Sequence, residues 1–132
     1  MNKLIDEAYE ALKHSYSPYS NIKIGAAVTG KSGRIYRGTN IENAAYGSTI
    51  CAERVAIFKA ISEGESDISA IAVTGDFDGF AYPCGACRQV MSEFMKKDAK
   101  VYVGNKNEEY KEYQLDDMIP FMFTHETKGK QE

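Results

Sequence analysis

Ser69-Ala-Ile-Ala-Val-Thr74, Gly75-Asp-Phe-Asp-Gly79, Pro83-Cys-Gly-Ala-Cys-Arg-Gln-Val-Met-Ser-Glu-Phe94 and Lys100-Val-Tyr-Val-Gly104 decide how this chain folds. The first run is short and rich in Ile, Val and Ala, the composition of a buried strand. The Gly- and Asp-rich run after it reads as a loop. Pro83 marks a helix start, because its fixed φ suits the first turn and its missing N–H costs nothing there. Val90, Met91, Phe94 and Met95 supply that helix's apolar stripe. Lys100 to Gly104 is the next strand.

Working outward, Cys51-Ala-Glu-Arg-Val-Ala-Ile-Phe-Lys-Ala-Ile-Ser62 predicts a second helix, stopped by Gly64 just beyond its end. Ile22, Ile24, Ala26 and Val28 alternate as a strand does, Lys31-Ser32-Gly33 turns, and Arg34 to Thr39 returns, which makes a hairpin. Leu4, Ile5, Ala8, Ala11 and Leu12 fall at helical spacing, and that helix must end before Ser17-Pro18. Tyr110 to Tyr113 reads as a further strand and Leu115 opens a short helix. The order α-β-β-α-β-α-β-β-α predicts an α/β fold whose sheet is covered by helices on both faces. We read residues 1–127 as one domain and 128–132 as a polar tail.

Composition narrows the function. The 132 residues are 43% hydrophobic and 27% charged, an ordinary globular balance that excludes disordered and fibrous classes. Sixteen Lys+Arg against nineteen Asp+Glu give −3, so neither nucleic acid nor an anionic membrane is an expected partner. The longest uncharged run, Asn43 to Ala52, is too short to span a bilayer. The N-terminus turns acidic at Asp6 and Glu7 and is not expected to be a signal peptide. An odd cysteine count then points to a reducing, cytoplasmic setting in which thiols bind metal or act chemically.

Cys51, Cys84 and Cys87 stand where two helices begin, and thiolates are favoured there by the helix dipole and by unpaired backbone N–H groups. If those helices follow neighbouring strands, their N-termini open on one sheet edge and the three sulfurs converge. A zinc ion held by three protein ligands keeps a fourth position for water, as catalytic sites do. A structural zinc would need a fourth ligand, and neither His14 nor His125 has ligand spacing to a cysteine. Glu53, in the first turn after Cys51, could serve as general base and acid without being a ligand. Arg54 could donate hydrogen bonds to a ligand sulfur and offset the net −1 of three thiolates around one dication. A thiol–disulfide motif at Pro83-Cys84-Gly-Ala-Cys87 is the rival reading, but it leaves Cys51 and Glu53 unexplained.

Cys51-Ala-Glu53 and Pro83-Cys84-Gly-Ala-Cys87-Arg88-Gln89 resemble the zinc signature of the cytidine deaminase family. Tyr16-Ser-Pro-Tyr-Ser20, Gly25-Ala-Ala27, Asn40-Ile-Glu-Asn-Ala-Ala-Tyr-Gly47 and Ala56-Ile-Phe-Lys-Ala60 follow the family in order. With a cysteine as first ligand, the chain is similar to the short, homotetrameric three-cysteine branch. The resemblance implies a three-layer α/β/α fold around a mixed five-stranded sheet. It implies one Zn²⁺ per subunit on Cys51, Cys84 and Cys87. It implies hydrolytic deamination of cytidine and 2′-deoxycytidine to uridine and 2′-deoxyuridine in pyrimidine salvage, with release of ammonia and Glu53 moving the protons.

Asn40 and Glu42 match the residues that hold the sugar hydroxyl, and their spacing puts them on one face if the strand continues to them. Ala52 and Ile22 match further substrate positions. Ala44 and Tyr46 match positions that reach a neighbouring subunit's site, and Phe123, with Phe121 as rival, matches the aromatic that closes over the ligand from another chain. The chain departs from the family at Ile22, usually a Phe that stacks on the pyrimidine, and at Tyr82, usually a small residue. Met118-Ile119-Pro120 departs from a Leu-Leu-Pro. Three alternatives compete: a deaminase of another aminopyrimidine such as a blasticidin-type nucleoside, a polynucleotide deaminase, and a structural zinc module without turnover. The Asn40-Ile-Glu42 motif argues against the first, and the charge and length argue against the second.

Overall fold

Asn2 starts the first helix by accepting hydrogen bonds from the backbone N–H groups of Leu4 and Ile5 at 2.9 and 3.2 Å. This computed structural model describes residues 2–124, so the expected tail at 128–132 lies outside the described residues. Helix α1 (Lys3–Leu12) buries Leu4, Ile5, Ala8 and Ala11, as its spacing requires. Two strands follow as the expected hairpin, β1 (Ile24–Gly30) and β2 (Ile35–Thr39), with Gly33 at φ 83° in the turn. Then come α2 (Ala52–Ser62), β3 (Ile68–Gly75), α3 (Gly85–Phe94), β4 (Met95–Gly104), β5 (Tyr110–Gln114) and α4 (Leu115–Met118). Gly64, at φ 102°, ends α2 where the sequence places the stop.

The five strands form one mixed sheet in the order β2-β1-β3-β4-β5. β1 is antiparallel to both of its neighbours, β3 and β4 are parallel, and β5 returns antiparallel at the edge. Alternation along the strands sorts the core into two layers. Ala27 and Ala72 face α1, against Leu4, Ile5 and Ala8. Ala26, Val28, Ile71 and Val73 face the other way, against Ala56, Ile57 and Ala60 of α2, Met91 of α3, and Leu115 and Met118 of α4. This is the expected α/β/α architecture.

Three local expectations are corrected. Ile22 is not in β1: Asn21, at φ 60°, turns the chain immediately before it and leaves Ile22 47% exposed. Helix α3 starts later than Pro83; Cys84 caps it and Pro83 stands one residue outside, its carbonyl accepting from Arg88 Nε at 2.7 Å. Met95 belongs to β4 rather than to the apolar stripe of α3. It pairs with Ile68, and the register then shifts before Ala70 pairs with Lys100. The intervening Lys96-Lys97-Asp98 shows no alternation that could announce this irregular start.

Helix α2 approaches β2 closely because Gly38 has no side chain. A Cβ there would stand 2.4 Å from Ala56 N and 2.5 Å from Ala52 O, both backbone atoms that cannot rotate away. Gly38→Ala therefore forces α2 outward, and we expect a loss of about 1–3 kcal/mol in urea unfolding. An unchanged midpoint would mean that the helix retreats freely.

Candidate active site

Cys51 and Cys84 occupy equivalent places, each the extended residue that caps a helix, and neither thiol is spent on capping. Their convergence follows from strand direction. β2 and β3 each run antiparallel to β1, so both point the same way and their C-terminal ends share one sheet edge. The strands are not neighbours, since β1 lies between them; common direction, rather than adjacency, brings the helix starts together. Between β2 and α2 the chain makes an excursion closed by Ile41 and Ile50, which exchange two backbone hydrogen bonds of 3.0 Å. That pair returns the chain to Cys51 beside Asn40.

The three sulfurs lie within 4.8 Å of one another, with Cys51 to Cys84 at 4.0 Å and Cys84 to Cys87 at 3.5 Å. Thiolates about 2.3 Å from a tetrahedral zinc stand roughly 3.8 Å apart, so this set fits the ion. Arg54 Nη2 donates to Cys51 Sγ at 3.3 Å. Bonds from Cys87 and Arg54 draw the Cys51 thiol down to about 5, while the bond to Cys51 and burial push Cys87 up. A dication at the centre would hold all three as thiolates.

Glu53 is 4% exposed, on the first turn of α2. Burial pushes its carboxyl up to about 7, and the negative charge of Cys51 adds to the shift. A carboxyl poised there can hold or release a proton near neutral pH. A cavity of about 360 Å³ opens onto Cys51, Cys84, Glu53 and Ala52, with Asn40 also in its wall. An adjoining cavity of about 340 Å³ is lined by Tyr19, Ser20, Glu42 and Tyr46, and Thr49 borders both.

The expected substrate residues divide accordingly. Asn40 lines the first cavity, its Oδ1 accepting from Ile24 N at 3.0 Å and from Ser15 Oγ, its Nδ2 donating to Ile22 O at 2.8 Å. Glu42 lines the second, where Tyr19 N, Ser20 N and the Ser20 hydroxyl all donate to it; the hydroxyl, above all, holds its carboxyl below the usual range. β2 ends at Thr39, so the pair is not on a continued strand. Ala44, Tyr46 and Phe123 are exposed, and Phe121 more so than Phe123. Ile22 is exposed and is not in the cavity wall. Sequence reasoning missed Phe77 and Phe80, which line the first cavity. Both sit in or beside the loop Gly75-Asp-Phe-Asp-Gly79, where no periodic signal marks an aromatic as facing a cavity.

An α/β/α sheet edge that joins three convergent thiols to a buried non-ligand carboxyl defines a zinc hydrolase centre. The chain belongs to the cytidine and deoxycytidylate deaminase family, whose zinc-binding region matches residues 1–105. It is 50% identical over 123 residues to a cytidine deaminase of Halalkalibacterium halodurans, covering 93% of each chain. A cytidine deaminase of Sporosarcina psychrophila is 44% identical over 126 residues, 96% of this chain and 93% of that one. The crystal structure of a cytidine deaminase from Burkholderia pseudomallei superposes with a TM-score of 0.88 at 41% identity, over 93% of this chain and all of that one. The cofactor is zinc. Metal analysis should find one zinc per chain, reduced at least about tenfold in affinity by Cys87→Ser, with proton release on metal uptake. Full retention of zinc by that variant would remove Cys87 from the ligand set.

Proposed function

We propose that this protein hydrolyses cytidine and 2′-deoxycytidine to the corresponding uridines and ammonia, as a step of pyrimidine salvage. The observation that carries the reading is Glu53, buried beside three convergent sulfurs in a cavity that also presents the Asn40 amide. Cys51, Cys84 and Cys87 would hold the zinc, which when bound supplies a water acidic enough to attack at neutral pH. Glu53 takes a proton from the attacking water and passes it to ring N3, then takes the remaining proton of the added hydroxyl and delivers it to the departing amino group. Water adds, ammonia leaves, and the carboxyl ends as it began. Arg54, bonded to Cys51 Sγ, would offset the negative charge of the ligand set.

Asn40 and Glu42 would bind the sugar hydroxyl, and Ala52 and Ile22 would complete the substrate's surroundings. Ala44, Tyr46 and Phe123 would act across subunit boundaries in a homotetramer, in keeping with their exposure on this single chain. Residues 1–127 form the catalytic unit in this reading, which is a cytoplasmic one; no helix among the described residues is long and apolar enough to cross a membrane.

Incubation of the zinc-loaded protein with cytidine should yield uridine by chromatography. Glu53→Gln should keep its zinc and lose about 10²–10⁴-fold in kcat. Bound zinc with no pyrimidine turnover, and indifference to that substitution, would reduce the site to a structural one. Arg54→Ala should surrender zinc to a chelator at least about tenfold more readily, and an unchanged rate would strip Arg54 of its role. Sedimentation at the mass of a single chain would contradict the tetramer.

A further inference from the structure

The first cavity has an aromatic side that the zinc chemistry does not account for. Phe77, Phe80 and Tyr82 all line it, together with Cys84 and Glu53. Ile22, the residue in line to cover the base, is outside the cavity wall and aliphatic. The aromatic cover on this chain therefore comes from the segment that precedes Cys84. Tyr82 is the member nearest the ligand cysteines in sequence, and its position is fixed from several sides. Ala81 N donates to Gly104 O at 3.0 Å, Tyr82 N to Phe80 O at 3.0 Å, and Pro83 O accepts from Arg88 Nε at 2.7 Å. At its far end the Tyr82 hydroxyl meets the Tyr113 hydroxyl of β5 at 2.7 Å, with the ring centroids 5.9 Å apart. Tyr82 is 47% exposed at the cavity rim, and the contact with Tyr113 holds its ring in one orientation there.

Resting on the nucleoside reading above, we propose that Tyr82 is a specificity-determining residue that limits the substituent at carbon 5 of the pyrimidine, with Tyr113 as the positioning residue for its ring. The direction follows from the chemistry. Carbon 4 must lie at the sulfur cluster and N3 must face Glu53, which rides on α2 beside Cys51. The carbon on the other side of C4 is C5, so it turns away from Glu53, toward the residues that lead into Cys84. Tyr82 is the large side chain there.

The test compares kcat/KM for cytidine and 5-bromocytidine in the wild type, Tyr82→Ala, Tyr82→Phe and Tyr113→Phe, each zinc-loaded. The intrinsic electronic effect of bromine cancels between proteins, leaving the contribution of the wall. One small group in an apolar pocket is worth roughly 10–200-fold, so the 5-bromocytidine to cytidine ratio should rise at least about tenfold in Tyr82→Ala. Tyr82→Phe and Tyr113→Phe, which free the ring without removing it, should raise the ratio by a smaller factor. A ratio unchanged in Tyr82→Ala, with cytidine still deaminated, overturns the proposal and leaves the nucleoside reading intact. Should Tyr82→Ala fail to fold, Tyr113→Phe decides, since it removes one hydroxyl from an edge strand; an unchanged ratio there overturns the proposal. A wild type that converts no cytidine sinks the nucleoside reading, and the inference falls with it.

Discussion

Three sulfurs within 4.8 Å of one another cannot all carry charge unless a cation lies among them. Without one, the set shares its protons unequally: Cys51 is drawn down by bonds from Cys87 and Arg54, while Cys87 is pushed up by the same contact and by burial. A dication would take over the work of the shared proton and hold all three as thiolates. Much else depends on that arrangement. Cys51 and Cys84 are also the residues that cap α2 and α3, so a metal held by them would tie two helix starts together. Glu53 feels the Cys51 charge directly, and Arg54 spends its Nη2 on the same sulfur.

The sheet supplies the placement cheaply. One antiparallel strand, β1, lies between two others and forces both to run in the same direction. Any helix that follows either of them starts on the same edge, and the dipoles of two such helices then favour anionic ligands at one point. Glycines set the depth. Gly38 lets α2 rest on β2, and Gly25 lets α1 close on β1, where a Cβ would stand 2.1 Å from Ala8 O. These contacts put the buried faces Ala52, Ala56 and Ala60 against the strands, with Glu53 buried among them. The carboxyl is buried because its helix is held close, and its raised proton affinity is a consequence of that packing.

Some of this was legible before any coordinates. The thiols announce themselves because helix-start geometry and metal chemistry constrain the same few positions, and the Lys31-Ser32-Gly33 turn fixes the hairpin locally. Strand order was not legible: that β1 separates β2 from β3 is a long-range outcome, invisible to period and spacing. Ile22 misled because alternation continues through it, while the turn at Asn21 that removes it from the strand leaves no periodic trace. Met95 misled because a helix gives way to a strand without any loop residue between. Phe77 and Phe80 were missed because loop aromatics carry no pattern; only the tertiary fold shows that they face a cavity.

The proposed sugar contacts raise a further point about how such a site can be ready before its substrate arrives. Asn40 is 9% exposed and already uses its carbonyl oxygen twice and its amide once. Those bonds link the α1 exit at Ser15, the turn at Ile22 and the start of β1, so the side chain cannot rotate without breaking all three. One amide hydrogen remains for a ligand, and its direction is set. Glu42 is held in the same manner by Tyr19 and Ser20, and both of its oxygens are engaged. A carboxylate oxygen accepts more than one hydrogen bond, so a hydroxyl can still join. Binding would then immobilise neither side chain, and little of the interaction energy would be lost to ordering them. The cost is carried instead by the folded chain, in polar groups already satisfied internally around the two adjoining cavities.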